Sequence, residues 1–133
     1  MIKYTSSLEH ITKDMLQGFF VDWPNPPSSK SHLKILKGSY IVWLALKDKR
    51  VIGFITAISD GVLSAYIPLL EVLPEYQNMG IGKELVSRML ESLKHLYMID
   101  LLCDKKLQGY YNKFKMTNAT GVILRNYERQ SCI

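Results

Sequence analysis

Between residues 69 and 90 the chain reads LLEVLPEYQNMGIGKELVSRML, and no other stretch restricts the fold as much. An apolar, strand-like run stops at Pro74, which has no amide donor to continue a ladder. Gly80 and Gly82 follow. Leu85, Val86, Met89, Leu90 and Leu93 then recur on one face of a helix expected over about 81–96. The first amides of such a helix have no intrahelical acceptors. Glycines without a Cβ let an anion approach them, and the positive end of the helix dipole favours phosphate or pyrophosphate. A tight turn that binds nothing is the competing reading, and two glycines alone do not separate the two.

Two other phosphate motifs do not fit. A Walker loop requires Gly-Lys followed by Ser or Thr, but Glu84 follows Lys83 and offers magnesium no hydroxyl. A dinucleotide fingerprint requires a third glycine where Leu85 stands. Asp100 does lie about twenty residues on, where a ribose-binding acid is wanted. The preceding strands, however, read as a meander rather than βαβ units.

The rest of the chain supplies the frame. IKYTSS (2–7) reads as a short strand, with Ser6 and Glu9 spaced as a capping box for a helix carrying Leu8, Ile11, Met15 and Phe19. The prolines of DWPNPPSS (22–29) end it, and a short helix is expected over about 30–37. Runs 40–47, 51–58 and 62–73, joined by charged or glycine turns, read as three antiparallel strands. Residues 98–103 read as a strand, and Asp104 is placed to cap a helix bearing Leu107, Tyr110, Tyr111 and Phe114. A hairpin around 117–127 would close the sheet. Strand 62–73, helix 81–96 and strand 98–103 make one crossover, which sets those two strands parallel. The expected fold is α/β: a mixed, mostly antiparallel twisted sheet flanked by helices, with one parallel pair.

The 133 residues suit a single domain spanning 1–133. No run approaches ~18 uninterrupted apolar residues, so no membrane association is expected. The first ten residues lack an apolar signal core, so a cytoplasmic chain is the default. Cys103 and Cys132 read as reduced thiols. The net charge of +5 is scattered rather than gathered on one helix face, so nucleic acid is not an expected partner.

The segment Val72-Leu73-Pro74-Glu75-Tyr76-Gln77-Asn78-Met79-Gly80-Ile81-Gly82 resembles the glycine turn of the GNAT superfamily, the acetyl-CoA-dependent N-acyltransferases. That signature is Gln or Arg, two residues, Gly, one residue, then Gly or Ala, after a strand ending near Val-x-Pro. The element order is also similar, over essentially the whole chain. The resemblance implies transfer of an acetyl group from acetyl-CoA, without a metal, to a primary amine in a ternary complex. A non-catalytic module that senses acyl-CoA is the alternative.

By the same resemblance, the amides of Gln77, Asn78, Met79, Gly80, Ile81, Gly82 and Lys83 would wrap the CoA pyrophosphate. Backbone at Leu70 and Val72 would pair with the pantetheine arm where the parallel strands splay. LQGYYNKFKM (107–116) resembles the family's Tyr-Glu-Lys-x-Gly-Phe segment, with Lys115 in place of glycine and Met116 in place of Phe. That match sets Tyr111 near the thioester sulfur as a proton donor, with Tyr110 as fallback and Asn112 within reach of the cofactor.

Glu71, the carboxylate nearest the splayed strand end, would take the amine proton through a water, unless it is merely exposed. Asp60 and Tyr66 are weaker candidates for that chemistry. Cys103 reads as packing, because no histidine (His10, His32 or His95) is placed to activate it. Phe20 and Trp23 would wall the amine site and Asp22 would meet its charge, with Tyr66 also offered to the substrate; a rigid loop with Trp23 on the core is the other reading. The small-molecule amine stays unidentified, as does the oligomeric state, with a homodimer among the options.

Overall fold

Apolar runs in the middle of the chain pair as consecutive strands because each buries its side chains on both faces of one sheet. The computed structural model describes residues 1–133. Strands β1 (Lys3–Thr5), β2 (Ile41–Lys47), β3 (Arg50–Ser59), β4 (Ser64–Val72) and β5 (Met98–Asp100) stand in that spatial order. Pairs β1–β2, β2–β3 and β3–β4 are antiparallel, and β4–β5 is parallel. The β2–β3 turn is made by Asp48 and Lys49, whose φ angles of 51° and 65° match a turn twisted like its strands.

Helix α1 (Ser29–Gly38) starts at Ser28, whose Oγ accepts the Ser31 N–H at 3.1 Å. Helix α2 (Ile81–Ser92) lies on one sheet face and buries Ile81, Leu85, Val86 and Met89. Gly53 in β3 lets it settle closely, since a Cβ there would stand 3.2 Å from Leu85 Cδ1. The other face carries Leu16, Phe19 and Phe20 with α1 residues His32 and Leu36, all buried. A last short helix, α3 (Gln108–Asn112), follows β5. No helix is long and apolar enough to cross a membrane.

Six local expectations are corrected. The helix expected before the prolines is one 3-10 turn, Lys13–Leu16. Ser6 and Glu9 form no capping box. Instead Thr5 Oγ1 accepts the Ser7 N–H and Ser7 Oγ the Glu9 N–H, short-range bonds that compete with helix start. Helix α2 ends four residues early, and Leu93 and Leu96 are buried in the turns beyond it. Strand β5 is only three residues long, and Asp104 precedes a 3-10 turn (Lys105–Leu107) without a side-chain cap bond. The hairpin at 117–127 does not form. Residues 117–126 run without regular structure, so β5 is the sheet edge.

Candidate active site

Strands β4 and β5 pair only at Ser64–Tyr66 against Met98–Asp100. Beyond Tyr66, β4 continues to Val72 with no partner on that side. The cause sits in the ladder with β3. Thr56 faces Leu69 and Ile58 faces Tyr66, so Ile67 and Pro68 stand against the single residue Ala57. This is a bulge, and Pro68 suits it because it has no donor to give a ladder. Leu73 donates its N–H to Ile52 O at 2.9 Å, toward β3. Alternation therefore turns the peptide groups of Val72 and Leu70 the other way, into the opening.

At the mouth of this opening the backbone presents donors. Gln77 N–H bonds Pro74 O and Glu84 N–H bonds Gly80 O, but no amide from Asn78 to Lys83 has an acceptor in the protein. Asn78 and Gly80 take left-handed φ of 63° and 82°, which curls this stretch into a concave nest of N–H groups at the start of α2. Nothing lies within 4 Å of where a Gly80 Cβ would be, so that face of the nest is open. A Gly82 Cβ would stand 3.4 Å from the Tyr110 hydroxyl and 3.8 Å from Val72 Cγ2. Gln77 turns its side chain back, and Nε2 donates to Val72 O at 3.0 Å. That bond fixes the nest against the end of β4. Met79 and Lys83 are exposed, and Ile81 is buried.

Tyr111 is half-buried on α3, its ring edge-on to Tyr110 with centroids 5.1 Å apart. Burial, then the Cys103 thiol and the Tyr110 phenol, pushes its pKa up to about 12. It is therefore a neutral donor across the working pH range. Lys115 adopts φ of 66°, so the backbone keeps a glycine-like turn although the residue is lysine. Asn112 is engaged locally: its Nδ2 donates to Met116 O at 2.7 Å and to Asn118 Oδ1 at 3.0 Å.

On the opposite face of β4, Glu71 accepts the N–H of Phe20 at 2.9 Å and of Val21 at 3.2 Å. Phe20 and Asp22 have φ of 62° and 68°, an unfavourable region for residues with a Cβ. The carboxylate thus holds a strained loop against the strand. Phe20 is buried and Trp23 is 40% exposed, their ring centroids 4.9 Å apart. Tyr66 lies where β4 and β5 are still paired, before the opening, and shares no ring contact or hydrogen bond with that loop. Asp60 accepts the N–H groups of Val62, Leu63 and Ser64, which hold its carboxyl below the usual carboxylate range. It is a turn residue. No three His, Cys, Asp or Glu side chains gather as a metal site.

Sequence reading overlooked the bulge, the Gln77 tether, the Tyr110 hydroxyl above Gly82 and the Glu71 clamp. Pro68 inside an apolar run was a usable sign of the first. The others join residues far apart in the chain and leave no local sign.

A mixed sheet whose one parallel pair opens beside a glycine-rich helix start defines the acyl-CoA N-acyltransferase type of fold. Residues 8–116 match the acetyltransferase (GNAT) family, and the chain belongs to it. It is similar to a Deinococcus radiodurans R1 protein of known crystal structure assigned as an acetyltransferase. The identity is 41%, over 98% of this chain and 92% of that one, with a TM-score of 0.95. A GNAT family protein of Streptococcus pneumoniae TIGR4 superposes with a TM-score of 0.77 at 28% identity, over 95% of this chain and 98% of that one. The Arabidopsis thaliana protein named GCN5-related N-acetyltransferase 1, chloroplastic, is 29% identical over 77% of this chain and 55% of its own length. The chain spans about half the length of the curated relatives it matches.

Proposed function

We propose that the chain transfers an acetyl group from acetyl-CoA to a primary amine of a small molecule. The observation that carries this reading is the run of acceptor-free amides from Asn78 to Lys83 beside the unpaired edge of β4. A diphosphate fits the nest by charge and by donor count. A peptide-like chain fits the edge, where Leu70 and Val72 offer backbone groups as an added strand would need. Asn78 to Lys83 would hold the diphosphate of the donor, and Leu70 and Val72 its pantetheine amides. When bound, acetyl-CoA supplies an activated thioester carbonyl.

This chain's residues then have separable tasks. The amine must be neutral to attack, and alkylamines have a pKa near 10.4, so a proton has to leave to solvent or a carboxylate. The N–C bond forms as the C–S bond breaks. The Tyr111 phenol, kept protonated by burial, gives its proton to the departing sulfur and recovers one from solvent. Glu71 holds the loop bearing Phe20 in place, and its carboxylate would take the amine proton through water. Phe20 and Trp23 supply the apolar wall of the amine site.

Titration with CoA in a calorimeter tests the first part: saturable binding is expected, and none at millimolar CoA with the fold intact removes it. Thiol release across a panel of amines tests the second. The double engagement of the Glu71 carboxylate favours one other reading, a module that binds acyl-CoA without turnover. CoA binding with no thiol release for any amine would select that reading.

A further inference from the structure

The loop that carries Phe20 and Trp23 has few main-chain bonds of its own. Its stretch Pro24-Asn25-Pro26-Pro27 holds three prolines, which have no amide to give, so Asn25 owns the only backbone donor there. That donor is taken from the far end of the chain. Gln130 Oε1 accepts the Asn25 N–H at 2.8 Å, across 105 positions of sequence. No other backbone or side-chain hydrogen bond reaches residues 24–27. The Gln130 side of the contact is prepared for it. Residues 117–129 are exposed, and the chain docks again only at Gln130 and Ser131, which are half-buried. Turn bonds from Arg129 N–H to Asn126 O at 2.9 Å and from Gln130 N–H to Tyr127 O at 3.1 Å hold its backbone.

At the other end of the same loop, Glu71 holds the N–H groups of Phe20 and Val21. Trp23 therefore lies between two tethers, two residues from Val21 and two from Asn25, with its ring centroid 4.9 Å from that of Phe20. Pro24 fixes its own φ and restricts the backbone of Trp23, so a shift at Asn25 passes to Trp23 rather than being absorbed on the way. Resting on the amine-transfer reading above, we infer that Gln130 is a positioning residue of the amine site. Its amide oxygen sets where Trp23 stands, and with it the width of the pocket that the amine enters. The end of the chain thus shapes acceptor recognition without touching the acceptor. Only an acceptor oxygen is needed at 130, because the Gln130 Nε2 makes no bond.

Two variants test this. Gln130→Met keeps the length of the side chain and removes the acceptor, whereas Gln130→Glu keeps an acceptor. Amide hydrogen exchange followed by NMR reads the tether without turnover. The Asn25 N–H should exchange about 5-fold faster in Gln130→Met than in the wild type or Gln130→Glu, the scale of one exposed hydrogen bond. In thiol-release assays with the fastest amine of the panel, Gln130→Met should raise KM about 5-fold with kcat and CoA affinity unchanged. Gln130→Glu should restore the wild-type KM. Equal exchange in all three proteins would remove the tether. Faster exchange with a wild-type KM, or a fall in kcat or CoA affinity instead of a raised KM, would overturn the positioning role. Wild-type protein that releases no thiol with any amine, while the Asn25 amide stays protected, would strike the transfer reading and the positioning role with it, leaving the tether standing.

Discussion

Tyr111 shows how burial turns a weak acid into a dependable one. A phenol pushed up to about 12 stays protonated through neutral pH and can donate wherever a sulfur leaves. Tyr111→Phe is expected to lower kcat by about 100-fold or more. CoA affinity should barely move, because the phenol is not among the groups assigned to the diphosphate. Turnover by thiol release and binding by calorimetry check the two halves, and unchanged kcat removes Tyr111 from the chemistry. Lys115 makes the complementary point. It occupies a left-handed φ of 66° that costs a residue with a Cβ about 1–2 kcal/mol. Lys115→Gly should raise stability in urea by roughly 1 kcal/mol, less whatever unfolded-state freedom glycine adds.

Two elements meet at the site, and each has its own test. At the start of α2, Gly80 is required by conformation, whereas Gly82 has room for a methyl group. Gly80→Ala should lose about 1 kcal/mol of stability and much of the CoA affinity, because a Cβ at φ 82° is strained and projects over the nest. Gly82→Ala places its methyl in near-ordinary contact with the Tyr110 hydroxyl and should fold and bind CoA almost as before. Equal losses in calorimetry for the two would refute this division. On β4, Glu71→Gln keeps one acceptor oxygen but turns an NH2 toward a second amide. The loop at Phe20 and Val21 should loosen, costing roughly 1–3 kcal/mol. A raised KM for amine with unchanged CoA affinity is the expected signature, and a Glu71→Gln variant with wild-type KM would show that the clamp does not shape the amine site.

At the scale of the molecule, the buried His32 couples fold to pH. It is 1% exposed among Phe19, Phe20 and Phe54, and neither ring nitrogen has a partner. Burial lowers its pKa to about 4. As pH falls below 6.5 the unfolded chain takes a proton that the folded one refuses until about 4, so stability falls across that window. The loss from this residue between pH 7 and 5 is about 2 kcal/mol. His32→Phe should flatten that part of the urea-derived stability profile, and an unaltered slope would place the pH dependence elsewhere.

Period-2 and period-3.6 apolar patterns are local, so β2, β3, β4 and the buried face of α2 could be read directly, as could the element order that leads to the parallel pair. The glycine turn was legible for the same reason: glycine and proline restrict the backbone wherever they occur. The first helix and the closing hairpin differ from expectation because local propensity lost to short-range Ser/Thr hydrogen bonds in one case and, in the other, to Asn112 and Gln130, whose side chains hold the two ends of the segment. Sequence by itself determined where the chain could pair, turn and bury. Only the tertiary structure decided that β4 leaves β5 at a bulge, that Glu71 takes two amides from about fifty residues away, and that six amides face outward together. Those are relations between distant segments, fixed by which groups find partners once the chain is packed, and no window of sequence contains them.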